Sequence, residues 1–225
     1  MRIADPSTND DLTARARIRD AAIACFAAVG FDATVRQIAA RAGVSAGLIT
    51  HHFGSKDALR SACDAEVLAK ILALKEDGIR RPPGAAIARI AELDEFGATF
   101  GYTLRSVREG GEAGRVFLEH MIDDAKAYTA EAVESGLVRP SADPDARASL
   151  LVTQSIGGML LQLTLRGETD FSDGAALIRS LAESSSFAIL ELYTQGLLTD
   201  SSYLDEFVRQ VPEAAPHQPQ GVQND

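Results

Sequence analysis

Polar and cationic side chains recur between residues 34 and 56 at spacings that suit contact with a nucleic acid. Thr50 and His51 fall on outward faces of a short predicted helix, where threonine can touch a thymine methyl group and histidine can meet a phosphate or a base. Gly47 would let the backbone approach a partner without a Cβ. The residues of this helix predicted to face a DNA groove are Ala46, Gly47, Thr50 and His51.

Two short helices must hold these groups in place. Thr34 is a good N-cap for the first helix, in which apolar residues repeat at helical spacing, and Gly43 is suited to end it. Ser45 can cap a second helix over residues 46–53. Because only Val44 separates Gly43 from Ser45, the two helices must cross sharply. This pattern predicts a helix-turn-helix, in which the second helix enters a major groove while the first crosses the DNA backbone.

A further set of side chains lies where phosphate contacts are expected. Thr34, His52 and Lys56 lie near helix ends, and the N-termini of both helices present amide groups that can bind a phosphate. His52 has an equally good role as a packing histidine, so both interpretations stay open. The predicted DNA-contacting set is completed by Thr34, Ser45, His52 and Lys56.

The stretch 34–56, with flanking helices that extend the similarity to residues 12–72, resembles the DNA-binding domain of TetR-family transcriptional regulators. The family pattern is roughly T-x-x-x-I-A-x-x-A-G-V-S-x-G-x-L-Y-x-H-F-x-S-K-x-x-L. Two positions differ, because Ile49 stands where the family usually has leucine and Thr50 replaces a tyrosine that in the family often touches DNA. The resemblance also implies a role for Arg36, which corresponds to a family position from which an arginine can pair with a guanine in the DNA groove. The matching positions are Thr34, Ile38, Ala39, Ala42, Gly43, Val44, Ser45, Gly47, His52, Phe53, Ser55, Lys56 and Leu59.

Helix formers dominate the chain and no segment alternates apolar and polar residues over a strand length, which predicts an all-α protein. The resemblance implies about nine to ten helices, with a DNA-binding domain over residues 12–72 (motif 34–53) and an effector-binding and dimerisation domain over 73–210. It also implies a homodimeric regulator, most often a repressor, that binds a palindromic operator and is released by a small molecule. Residues 1–11 and 211–225 are expected to be disordered because they offer little apolar surface to pack.

Breakers divide the second domain into helices predicted over 85–108, 112–135, 145–166, 174–196 and 202–210. Two of these stand out as a pair, since 145–166 contains Gly157-Gly158 and 174–196 contains three consecutive serines, all of which permit close helix approach. In the family that this chain resembles, the last two long helices form a four-helix dimer interface. The alternative is a pair of buried helices within one protomer.

An effector pocket in the second domain is implied by the resemblance. Aromatic residues and methionines at helical spacing are also typical of a plain core, so each candidate has that alternative role. The 6% aromatic content and the absence of Trp favour a mid-sized, largely apolar ligand. The candidate lining residues are Phe96, Phe100, Tyr102, Phe117, His120, Met121, Tyr128 and Gln154.

The charge of the chain is unevenly distributed. The formal net charge is −10, yet residues 12–60 carry seven Arg and Lys against three Asp, a net +4. A positive end on an acidic body suits phosphate contact in one orientation and repels DNA elsewhere. Because +4 is modest, a dimer would be needed for useful affinity.

Catalysis and metal binding find little support. His51 and His52 are adjacent and diverge by about 100° on a helix, so they cannot chelate one metal. His120 with Asp123 and Asp124 has possible ligand spacing, but an acidic surface explains it better. No metal, cofactor or enzyme activity is therefore expected.

Two further expectations concern the location of the protein. Cys25 and Cys63 are predicted to be buried thiols of a reducing compartment. No stretch is expected to approach the roughly 18 apolar residues needed to span a bilayer, which predicts a soluble, cytoplasmic protein. Two other classes remain as alternatives: a non-specific DNA-architectural protein, and a helical enzyme or metal-binding protein that carries a helix-turn-helix.

Overall fold

The computed structural model describes the backbone of residues 6–88 and 95–211. These residues form ten α-helices and no strand, which confirms the all-α prediction for this part of the chain. The helices are α1 (Pro6–Val29), α2 (Val35–Ala42), α3 (Ala46–Phe53), α4 (Lys56–Arg80), α5 (Pro83–Ala88), α6 (Gly97–Glu109), α7 (Gly111–Glu134), α8 (Pro144–Leu165), α9 (Gly174–Gln195) and α10 (Ser202–Gln210).

The N-terminal helix starts earlier than the sequence pattern predicts. The pattern predicts a start at Thr13, whereas α1 begins at Pro6. The expectation of disorder over residues 1–11 stays a prediction. Proline fits a first helical turn because the N–H that it lacks has no intrahelical partner there. An already nucleated helix also extends by one residue at little cost. Residues 1–5 and 212–225 lie outside the described residues.

The helix predicted over 85–108 is divided in the structure. Helix α5 starts at Pro83, since proline suits a first helical position, and α6 starts at Gly97. Residues 89–94 between them lie outside the described residues. The other predicted helices of the second domain agree with α7 to α10 within one or two residues.

The largest core joins the first four helices to the body. It contains Ile18 and Phe26 of α1, Ile38 of α2 and Leu59 of α4, all fully buried. Tyr102 of α6 and Phe117 of α7 belong to the same core. The DNA-binding unit, helices α1 to α4, is therefore packed directly on the body, which is formed by helices α5 to α10. Cys25 and Cys63 lie here as buried free thiols, as predicted, and burial raises the pKa of both.

Two smaller cores hold the body together. One is built around Leu104, Leu163 and Phe171, and the other around Ala125 and Val152. In the first, α6 and α9 approach backbone to backbone. A Cβ built on Gly174 would lie 2.0 Å from the Gly97 carbonyl oxygen, so only glycine fits this contact.

The expectation that no segment could cross a membrane is wrong by length and composition for α8. This helix contains an 18-residue window of mean hydropathy 1.4, of which 22% is buried. From Ser149 to Leu165 the apolar residues of this helix are interrupted only by Gly, Ser, Thr and Gln, none of which is charged. One such helix is weak evidence for a membrane span, because a helix of a soluble protein can have the same length and composition.

Candidate nucleic-acid interface

A reciprocal capping box starts the first helix of the motif. The Thr34 N–H donates to Gln37 Oε1 at 2.7 Å, and the Gln37 N–H donates to Thr34 Oγ1 at 3.3 Å. The Thr34 hydroxyl also lies 2.9 Å from Gln37 Oε1, so its hydrogen-bonding capacity is largely used within the cap. The T-x-x-Q spacing could have identified Gln37 from the sequence. Arg36, the second residue of α2, is exposed.

The turn after α2 depends on Gly43. This residue has φ 66° and ψ 37°, the left-handed region in which a Cβ costs energy. Its N–H is directed at the carbonyls of Ala39 and Ala40, and the Val44 N–H donates to the Ala39 carbonyl at 3.0 Å. These bonds satisfy backbone carbonyls that have no intrahelical partner at the end of α2. The resulting turn leads directly into α3.

Helix α3 separates an inner from an outer face. The Leu48 N–H donates to Ser45 Oγ at 3.2 Å, which confirms Ser45 as the N-cap. Ile49 and Phe53 point into the core with 2% and 8% exposure. The side chains of Thr50 and His51, together with Gly47, are exposed as predicted. Ala46 is half-buried and packs against the core, so it offers the groove less surface than its neighbours.

Two of the predicted phosphate-contacting residues, His52 and Lys56, are half-buried. Lys56 is the first residue of α4, which Ser55 caps by accepting from the Ala58 N–H at 3.0 Å. The His52 ring lies edge-on to the rings of His51 and Phe53, with centroids 5.4 and 6.4 Å away. This packing is compatible with either role of His52.

The structure adds Arg15 to this surface. Its guanidinium carbon lies 4.9 Å from the centre of the Phe53 ring, which places an exposed cation of α1 beside the end of α3. From the sequence, Arg15, Arg17 and Arg19 are interpreted as a solvated face from which one arginine could reach a phosphate. The contact with Phe53 could not be predicted, because a contact between residues so far apart in the chain leaves no periodic signal.

A polar contact ties the DNA-binding unit to the body. The hydroxyl of the fully buried Tyr102 donates to Asp64 Oδ1 at 2.6 Å. Arg60, one turn before Asp64, stacks its guanidinium on the Phe31 ring at 3.6 Å. Burial raises the pKa of Asp64, and the Tyr102 hydrogen bond opposes that rise by stabilising the carboxylate.

We expect Tyr102→Phe to lower the free energy of unfolding by about 1.5–3 kcal/mol at neutral pH, because a half-buried carboxylate loses a strong donor. Since the variant removes an effect that lowers the pKa of Asp64, this carboxyl will take up a proton more readily in the folded than in the unfolded state. The deficit will therefore shrink as the pH falls through that pKa. Urea unfolding at several pH values measures it. Tyr128→Phe is the control, and an equal loss in both variants would contradict the role of the hydrogen bond.

The candidate effector-contacting residues do not form one group. Tyr102 and Phe117 belong to the core that supports the DNA-binding unit, and Phe100 packs on the Leu104 core. Met121 and Tyr128 are half-buried and pack on the Val152 core, while His120 and Gln154 are exposed. Of the eight candidates, Phe96 alone lines either of two surface clefts, one between α4 and the start of α6 and the other between α8 and α9.

Two open clefts lie in the described part of the body. The larger, about 530 Å³, lies between α4 and the start of α6, and is lined by Lys70, Ala73, Leu74, Asp77, Glu95 and Phe96. The smaller, about 320 Å³, lies between α8 and α9 and includes Gln162 and Ile189. Within the described residues no group of three or more His, Cys, Asp or Glu is arranged to hold a metal.

Comparison with known proteins fits this architecture. Residues 18–63 match the bacterial regulatory proteins of the tetR family, and residues 94–199 match the tetracyclin repressor-like C-terminal domain. Helix α10 lies beyond both matches. The chain is 40% identical over 208 residues to the HTH-type transcriptional regulatory protein RaaS of Mycobacterium tuberculosis, covering 92% of this chain and 97% of that protein.

Solved structures show the same fold. SmeT, the repressor of the Stenotrophomonas maltophilia multidrug efflux pump SmeDEF, has a TM-score of 0.50 and 25% identity, covering 75% of this chain and 89% of the SmeT chain. FadR from Bacillus subtilis, solved with stearoyl-CoA, has a TM-score of 0.53 and 18% identity, covering 81% and 99% of the two chains. A capped helix-turn-helix seated on a helical body defines a DNA-binding transcriptional regulator. The chain belongs to the TetR family.

Proposed function

We propose that this protein is a repressor that binds a palindromic operator as a homodimer and is released by a small molecule. The observation that carries the proposal is the exposure of Arg36 on α2 and of Gly47, Thr50 and His51 on α3, both of which are capped helices of the helix-turn-helix. Residues 12–60, with a net charge of +4, attract DNA to these positions, while the acidic remainder of the chain repels it. Action on chromosomal DNA implies a cytoplasmic location.

Exposed apolar side chains on α8 and α9 support the homodimer. Large residues of these helices that are about half or more exposed are Leu150, Leu161, Leu165, Phe187, Ile189, Leu190 and Tyr193. A Cβ built on Gly157 or Gly158 would meet no atom of the described residues within 4 Å, so another helix has room to approach there. Exposed apolar residues that cluster on two neighbouring helices mark an interaction surface. Two copies joined here would carry two recognition helices, which must be about 34–36 Å apart or a multiple of that distance.

Contacts between α6 and α1 give a route by which an effector could alter that spacing. Arg105 donates from Nε to the Ala27 carbonyl and from Nη2 to the Ala28 carbonyl, both at 3.2 Å. The Phe31 N–H donates to Glu109 Oε2 at 3.2 Å. A displacement of α6 would therefore be transmitted to the end of α1, on which the helix-turn-helix packs. An effector shifts the equilibrium only by its difference in affinity for the two arrangements.

The cleft beside Phe96 is the proposed effector site, because it lies between α4 of the DNA-binding unit and α6. Its lining joins apolar surface from Leu74 and Phe96 to charged groups at Lys70, Asp77 and Glu95. This favours a mid-sized ligand with an apolar body and a polar end.

The experiment that tests operator binding compares the purified protein on its own upstream region and on a scrambled duplex of equal length, at near-physiological salt. A preference of about 10³ or more is expected for an operator-reading regulator. Equal affinity for the natural and scrambled duplexes would favour a non-specific architectural protein instead. Once an operator is known, release by candidate effectors can be screened on the same complex.

We expect Lys56→Ala to weaken binding to all DNA sequences alike, because a phosphate contact carries no sequence information. The slope of log affinity against log salt should fall by about one for each phosphate that the protein no longer neutralises. Titrations of operator and scrambled duplex at four salt concentrations measure both effects. Lys126→Ala is the control, since Lys126 lies on α7 and pairs with Asp123. A weakening restricted to the operator would contradict the phosphate role.

A further inference from the structure

Helix α10 carries an apolar face that buries no residue against the rest of the described chain. Tyr203 is 74% exposed, Leu204 64%, Phe207 54% and Val208 40%. Their spacing places them on one side of the helix, and Asp205, Glu206 and Arg209 occupy the other. A nine-residue helix is too short to be stable alone in water, so its stability must come from packing on another surface.

Helix α10 follows closely on a helix that already exposes an apolar face. Exposed apolar side chains occur at Phe187 and Tyr193 of α9, at Leu197 and Leu198 of the connection, and again from Tyr203 onward, after the polar stretch 199–202. In the proposed dimer, the α9 part of this surface is covered by a second copy. Because only six residues separate α9 from α10, that copy is also the nearest partner for the apolar face of α10.

The charges of α10 argue against a membrane or a nucleic acid as the partner that covers its apolar face. Helices that lie on anionic membranes carry Lys and Arg on their polar face, whereas α10 has two acidic residues and one Arg there. The residues outside 12–60, which include α10, carry a net charge of −10 − 4 = −14, and this charge opposes both anionic lipid and nucleic acid at this helix.

We propose that α10 of each protomer packs on the partner protomer as an exchanged arm that extends the α8–α9 interface. This inference rests on the proposed homodimer, and it assigns to the arm a share of the dimerisation free energy. Because the two copies are related by symmetry, each arm is covered reciprocally. Helix α10 follows the segment that matches the tetracyclin repressor-like C-terminal domain, which ends at residue 199.

The test compares two double variants of the full-length protein with the same charge change on opposite faces of α10. Leu204→Glu/Phe207→Glu should raise the dimer dissociation constant at least about 30-fold, the loss expected when buried anchor residues are removed from an interface. Ser202→Glu/Gln210→Glu should change it less than about threefold, because screened surface charges contribute little. Sedimentation equilibrium over a dilution series measures both constants. Equal constants for the wild type and the Leu204/Phe207 variant would overturn the proposal while leaving the homodimer intact.

Hydrogen exchange separates an exchanged arm from a helix that folds back on its own chain. If the arm packs on the partner, the α10 amides should lose protection as the wild-type protein is diluted through its dimer dissociation constant. Protection that does not depend on concentration would overturn the exchange. A wild-type protein that is monomeric at every concentration would overturn the homodimer, and the arm with it. Binding of the wild type to vesicles containing anionic lipid, abolished in the Leu204/Phe207 variant, would assign the face to a membrane instead.

Discussion

Arg36→Ala should lower operator affinity by roughly 30-fold to 10⁴-fold and relax specificity at one base pair of each half-site. A bidentate contact between arginine and guanine contributes about 1–3 kcal/mol of discrimination, and a homodimer makes the contact twice. The position of Arg36 supports this role, since it is exposed in the first turn of α2 beside the capping box that fixes the start of that helix. Binding to a library of operators with each base pair varied in turn measures both the weakening and the position of the relaxed specificity.

The matched control is Arg41→Ala in the last turn of the same helix, which removes the same charge from an exposed position. It should weaken operator and scrambled duplex to a similar, small extent. If Arg36→Ala also weakens both duplexes equally, Arg36 contacts phosphate and not a base. The base-reading role would then fall to Thr50 and His51.

Gly174→Ala should lower the free energy of unfolding by more than about 3 kcal/mol, because overpacking against backbone cannot be relieved by a side-chain rotation. The added Cβ would lie 2.0 Å from the Gly97 carbonyl oxygen and 3.2 Å from the Gly101 nitrogen. Helices α6 and α9 would have to separate, which would also disturb the contact of α6 with α1. Urea unfolding at a fixed protomer concentration measures the destabilisation, since the midpoint of any protein that dimerises depends on its concentration.

Gly78→Ala is expected to change the free energy of unfolding in the opposite direction in the same experiment. Gly78 lies inside α4, and a Cβ there would meet no atom of the described residues within 4 Å. The substitution should raise stability by about 0.8–1 kcal/mol through helix propensity alone. Similar small effects at Gly78 and Gly174 would show that α6 and α9 are not in close backbone contact.

The caps and helix limits of the helix-turn-helix could be predicted because they depend on neighbouring residues. Thr34, Gly43 and Ser45 act through hydrogen bonds and backbone angles within five residues of themselves, so their types and spacing are sufficient evidence. The same is true of the inward positions Ile49 and Phe53, which helical periodicity places on one face.

The roles of Tyr102 and Phe117 could not be predicted from the same kind of reasoning. Helical periodicity places Tyr102 off the inward stripe of Phe100 and Leu104. For Phe117, it does not say which of several helices the side chain will meet. The structure places them under the DNA-binding unit, where Tyr102 also supplies a hydrogen bond to Asp64 from 38 positions away in the chain. Arg15 beside Phe53 and Gly174 against Gly97 are further contacts of this kind.

Short-range hydrogen bonding and helical periodicity encode the all-α class, the position of the DNA-reading motif and the family resemblance, so the chain alone was enough to predict them. Three-dimensional packing was needed to establish which side chains join the motif to the body, which glycines lie at a helix crossing and which apolar faces remain exposed. These features depend on how distant helices meet. That packing is the combined result of many weak contacts, none of which has a local signature in the chain.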